Sequence, residues 1–168
     1  MYLASQIVMF IAFILSLVAY HLKTKKSIFE IKCVENIFNI MHYLFLGAYS
    51  GCMTKVIALS RDIVILEKEK YKCLNKRVFL VIFILIYIIM GILTFKNIFS
   101  ILPFVAALIY MSAVWNGNAL SVKRTGFYCY FFWLAYNISI FSIMGILSNC
   151  VSLISSFIAY NNARRIKN

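Results

Sequence analysis

Apolar runs follow one another along nearly the whole chain: Leu3 to Leu22, Asn36 to Ser50, Cys52 to Leu66, Val78 to Phe95, Ile98 to Trp115, Gly126 to Ile143 and Gly145 to Tyr160. None keeps the strict alternation of a half-buried strand, and together they read as membrane-spanning helices. Helices suit that setting because each satisfies its own backbone polar groups within one segment. Hydrophobic residues make up 64% and charged residues 13% of the chain, against about 45–50% and 25% in soluble domains. An ordinary soluble domain is excluded, and 168 residues leave room for one integral membrane domain over 1–168. The first run lacks a basic start and is expected to be a spanning helix rather than a cleaved signal.

Two boundaries carry no charge, at "GAYSGC" (Gly47 to Cys52) and "SIMG" (Ser142 to Gly145). If Asn36 to Leu66 were one helix it would reach roughly 46 Å, against a hydrocarbon core of about 30 Å. A break at Gly47 and Gly51 is therefore expected, which makes this G-x-x-x-G a turn rather than a dimerisation face. Seven crossings also sort the charges. With the N-terminus outside, the cytoplasmic side receives Lys23, Lys25, Lys26, Lys32, Lys68, Lys70, Lys72, Lys76, Arg77, Lys123, Arg124, Arg164, Arg165 and Lys167, which is 14 of the 17 basic residues. Five crossings would put the Lys68 to Arg77 cluster on the wrong side, so the expectation is N-terminus out and C-terminus cytoplasmic.

That distribution also disposes of nucleic acid as a partner, because the net charge of +12 sits in short juxtamembrane stretches rather than on one basic face. Cys33, Cys52, Cys73, Cys129 and Cys150 show no metal-ligand or disulfide spacing and are expected to be buried free thiols. No metal and no cofactor is expected.

The chain also matches itself at an offset of 94 residues, pairing Ile7 with Ile101, Phe10 with Phe104, Ala12 with Ala106, Phe38 with Phe132 and the turn glycines Gly51 with Gly145. The fold class expected is an all-α membrane protein of seven transmembrane helices in a 3+1+3 plan. A first three-helix repeat (3–66) and a second (98–160) run parallel, joined by a linker helix (78–95). Parallel repeats of this kind occur in transporters such as the SWEET sugar carriers, whose site lies between the halves.

The segments "HYLFLGAYSG" (His42 to Gly51) followed by Arg61, "LPFVAALI" (Leu102 to Ile109) and "WLAYN" (Trp133 to Asn137) followed by Gly145 resemble the YgjV family of bacterial inner-membrane proteins. The resemblance covers most of the chain and implies an inner-membrane location. The chain also looks distantly similar to the SWEET and PQ-loop superfamily, although Met9 stands opposite Pro103 and no Pro-Gln dipeptide occurs.

Candidate site residues are the polar groups caught inside apolar runs. Arg61 and Asp62 leave a helix about 100° apart, so each is expected to need its own partner. Arg61 either snorkels to the cytoplasmic surface or lines a pocket, whereas Asp62 is too short to snorkel as well and is expected to face a wet cavity, pair with a basic group or be protonated at neutral pH. Lys55 is expected to snorkel outward. His42, read near the middle of its helix, could hold a substrate or simply bridge helices. Asn149, flanked by Ser148 and Ser152, and Trp133 complete the set, since an amide binds hydroxyls and an indole stacks on rings. The repeat sets Tyr136 opposite His42, Asn149 opposite Lys55, and Ser155 and Ser156 opposite Arg61 and Asp62.

Two functions follow. A carrier of a small polar solute would use His42, Asp62, Arg61, Asn149 and Trp133 as its pocket, while a non-transporting assembly or lipid-associated protein would use them to hold helices together. An enzyme is not expected, because no nucleophile with a base, paired acids or metal spacing is found. The partners expected are the lipid bilayer, a small polar solute and a second copy of the chain.

Overall fold

The computed structural model describes residues 1–68, 70, 71, 77–117 and 119–165, and among them the regular structure is helical. The α-helices are α1 (Tyr2–His21), α2 (Lys25–Phe45), α3 (Tyr49–Glu67), α4 (Arg77–Leu93), α5 (Leu102–Asn116), α6 (Ala119–Ser139) and α7 (Ile143–Arg165), with a 3₁₀ turn, Ile98–Ile101, leading into α5. Lys72, Cys73, Lys76 and Lys167 lie outside the described residues.

Two helices start earlier than their apolar runs. α2 begins at Lys25 rather than Asn36, and α6 at Ala119 rather than Gly126. The Thr24 hydroxyl caps α2 by accepting the Ser27 N–H at 3.2 Å. The charges that disguised this turn as a loop then pair along the helix, Lys26 with Glu30 and Lys32 with Glu35. Pro103 sits in the first turn of α5, where its missing N–H costs no helical hydrogen bond.

The α2–α3 and α6–α7 turns are built alike. Gly47 adopts φ +66° and Phe141 φ +53°, and these positions are 94 residues apart. Each is the left-handed residue of a Schellman turn. Gly47 N–H donates to the Leu44 carbonyl and Ala48 N–H to the Tyr43 carbonyl; Phe141 N–H donates to Ile138 and Ser142 N–H to Asn137 in the same pattern. The G-x-x-x-G is thus a turn at Gly47, with Gly51 inside α3.

Six helices close into a ring in which α1 packs on α2, α2 on α3, α3 on α5, α5 on α6, α6 on α7, and α7 back on α1. α4 lies outside the ring against α3 and α5. The ring is apolar outward and polar inward. Leu3, Ile7, Phe10, Ile14 and Val18 are exposed along one stripe of α1, and Val78, Val81, Leu85, Ile88 and Ile92 along α4, whereas Ser5, Ser16, Glu35, Asn36, Asn39, Thr54 and Asp62 are buried. An apolar exterior of that extent fits lipid rather than water. By length and composition, two segments among the described residues are long and apolar enough to cross a membrane, Tyr2–Ala19 and Ile98–Trp115. α2, α3, α6 and α7 carry inward polar stripes, which dilute their apolar runs.

Candidate functional site

The inward stripes enclose a central cavity of about 110 Å³. On α2 the wall runs through Ile28, Lys32, Asn36, Asn39 and Tyr43, spaced by three or four residues, and on α6 through Val122, Gly126, Tyr130 and Trp133. These are single helix faces. α3 adds Thr54, Lys55, Ala58, Arg61 and Asp62, and α7 adds Ser148, Asn149 and Ser152.

Arg61 and Asp62 bond each other, contrary to the expectation from their 100° separation. The arginine side chain is long enough to fold back over its own helix, so Nε and Nη2 both donate to Asp62 Oδ1, at 2.9 and 2.7 Å. Asp62 Oδ2 accepts from Asn36 Nδ2 at 3.0 Å, and Arg61 Nη1 donates to the Tyr87 hydroxyl at 3.4 Å. The guanidinium also lies 5.4 Å from the Tyr110 ring centre. Arg61 is 3% exposed and Asp62 fully buried, so the arginine does not snorkel.

Lys55 turns inward as well. Its ammonium sits 4.4 Å from the Trp133 ring centre, and that indole stacks on Tyr43 at 5.7 Å. An aromatic face attracts a cation in a low-dielectric setting, and this contact competes with outward snorkelling. Across the cavity, the Asn149 amide nitrogen and the Ser152 hydroxyl are buried without a hydrogen-bond partner among the described residues, as is Oε2 of Glu35. Glu35 lies 3.8 Å from the Lys32 ammonium, close enough for an ion pair and too far for a hydrogen bond.

His42 stands apart from this wall. Because α2 starts at Lys25, His42 falls in its last turn, not its middle, and it belongs to a sealed layer at the turn end of the ring. Its Nδ1 lies 2.8 Å from the Ser5 hydroxyl and 2.9 Å from the Ser5 carbonyl, and its Nε2 lies 2.9 Å from the Ser142 hydroxyl; a proton on Nδ1 serves the carbonyl and leaves Nε2 to accept. Ser142 Oγ in turn accepts the Gly145 N–H at 3.1 Å. Beside it, the Tyr136 hydroxyl accepts the Gly51 N–H at 2.9 Å and bonds Ser50, and the Tyr43 hydroxyl donates to Asn137. A Cβ on Gly51 would stand 2.8 Å from the Tyr136 ring, so glycine is what admits this close approach.

At the opposite end, lysines tie the two sides of the ring. Lys25 Nζ donates to the Gly117 carbonyl at 2.8 Å, Lys123 Nζ to Leu22 at 3.0 Å and Lys68 Nζ to Trp115 at 2.6 Å, all near helix C-termini, where a cation is favoured.

The structure therefore brings Arg61, Asp62, Asn149 and Trp133 to one cavity and leaves His42 outside it. It adds Lys32, Glu35, Asn36, Asn39 and Lys55 to the wall. The overlooked α2 residues share one face at helical spacing with Tyr43, and the Thr24 cap followed by two Lys–Glu pairs was the signal for them. Among the described cysteines, Cys52 and Cys129 are buried, Cys33 is part-buried and Cys150 is exposed on the outer face, which corrects the expectation of uniform burial. No group of three metal-ligating side chains occurs among the described residues.

No curated protein and no solved structure matches the chain. A family model, described as a bacterial inner membrane protein, matches residues 3–167. With nearly its whole length covered, the chain belongs to the YgjV family of bacterial inner membrane proteins.

Proposed function

We propose that this protein is a carrier that moves a small polar solute through the ring by alternately opening its two ends. The observation that carries the reading is a polar cavity walled by residues that correspond across the 94-residue offset. Lys32 corresponds to Gly126, Asn36 to Tyr130, Asn39 to Trp133, Thr54 to Ser148, Lys55 to Asn149 and Ala58 to Ser152, and all of them line it. The twin Schellman turns and the matching α3–α5 and α7–α1 contacts support a 3+1+3 plan with parallel halves. So do the reciprocal ties, α2 to the end of α5 through Lys25 and α6 to the end of α1 through Lys123. Halves related in this way can rock about a site between them. The lysine-rich end is read as cytoplasmic and the His42 layer as facing outward. No catalytic step is assigned to the site.

Purified protein in liposomes is then expected to pass a small polar solute faster than protein-free vesicles, and Asn149→Leu, which keeps the branched shape but removes the amide, is expected to slow that flux. Equal leak through both kinds of vesicle, over a panel of neutral, anionic and cationic solutes, would contradict the proposal. One observation favours a second reading. Arg61, Asp62 and Asn36 each hydrogen-bond an internal partner, as in a non-transporting assembly protein held together by interhelical hydrogen bonds.

A further inference from the structure

We infer that the central cavity binds a small carboxylate that also carries a hydrogen-bond donor. Its carboxylate rests on Lys55, Asn149 and Ser152, and its donor on Glu35. The inference deepens the carrier reading and rests on the same cavity.

Charge comes first. Arg61 is matched by Asp62 and Lys32 by Glu35. Lys55 has no carboxylate within 4.0 Å among the described residues and is held only against the Trp133 ring. A part-buried cation in a low-dielectric setting gains from an anion that reaches it. The unused hydrogen-bonding atoms come second. Asn149 is 6% exposed and Ser152 1% exposed, one turn apart on the same face of α7, and each lines the cavity with a polar atom that has no hydrogen-bond partner among the described residues. An amide N–H and a hydroxyl that face the same cavity as an ammonium offer an oxyanion its donors. Glu35 Oε2, ion-paired with Lys32 at 3.8 Å, is the remaining atom of this wall with no hydrogen bond among the described residues and can only accept once ionised, so it has room for a donor on the solute. Size sets the limit. A water needs about 10–15 Å³ by this measure, so 110 Å³ holds several, or a three-carbon acid.

The donor could be the hydroxyl of a hydroxy acid or the ammonium of an amino acid, and four probes of one skeleton separate these cases. Binding of propionate, lactate, alanine and lactamide to the purified protein in detergent is measured by calorimetry. Lactate or alanine should bind about tenfold or more tightly than both propionate, which lacks the donor, and lactamide, which lacks the charge. The better of the two identifies the donor. Lys55→Gln should erase the preference for acid over amide, and Glu35→Gln the preference for lactate or alanine over propionate, with thermal unfolding run in parallel to confirm that each variant is folded. Lactamide binding as well as the acids, or no acid binding at all, would overturn the inference. Failure here leaves the carrier reading to the liposome flux of uncharged solutes such as glycerol. Absence of flux for every solute would sink that reading, while acid binding in detergent would still stand.

Discussion

The Arg61–Asp62 pair of α3 and the Asn149–Ser152 pair of α7 line one cavity and treat their polar groups in opposite ways. On α3, Arg61 and Asp62 carry full charges, yet the pair is closed on itself, on Asn36 and on Tyr87. On α7, Asn149 and Ser152 carry no charge, yet each keeps a buried atom unpaired. Saturation, rather than charge, separates the two. A satisfied ion pair has nothing left to give a solute without breaking, whereas an unsatisfied amide loses nothing in the protein when a solute arrives.

The largest test of that contrast is Asp62→Ala. Removing one partner of a buried pair strands the other, so the variant should lose about 3–5 kcal/mol of stability, read by thermal unfolding in detergent. The double variant Arg61→Met with Asp62→Leu should regain most of it, because no orphan charge remains. An unchanged melting temperature for the single variant would mean that the pair is wet, and the contrast would collapse. Next in size is Gly51→Ala, whose new Cβ would meet Tyr136 and Tyr43 at 2.8–3.0 Å in the sealed layer. Overpacking should cost about 1–3 kcal/mol by the same measurement. Phe141→Gly should act in the other direction, adding about 1 kcal/mol, because a bulky residue at φ +53° takes the place that Gly47 fills in the first turn. Asn149→Ala and Ser152→Ala should be smallest, within about 0.5 kcal/mol, since they break no internal hydrogen bond. A large loss for either would show that α7 is as saturated as α3.

Much of the helical plan was legible because apolar runs and turn glycines are strong signals. The break near Gly47 followed from the length a helix can span, but the offset of 94 was read on Gly51 and Gly145, whereas the left-handed turn residues are Gly47 and Phe141. The start of α2 was hidden because Lys25, Lys26, Glu30, Lys32 and Glu35 read as an exposed loop, although they pair along a capped helix. That error displaced His42 to mid-helix and removed Lys32 and Glu35 from the site. Asp62 and Arg61 stood out as charges in an apolar run, but nothing in the sequence reveals that an arginine folds back onto its neighbour. Nor can sequence tell a satisfied amide from an unsatisfied one, because that depends on what the opposite helix presents.

Whether the cavity opens to both sides of the membrane is the question on which the carrier account turns. Ser152→Cys, in a chain whose five cysteines are replaced by serine or alanine, can be treated with a small membrane-impermeant methanethiosulfonate from one face of oriented vesicles and then from the other. Modification from both faces is the predicted result, since each end would open in turn. Modification from one face alone, or from neither, would contradict alternating access and leave a static bundle whose polar interior only holds its helices together.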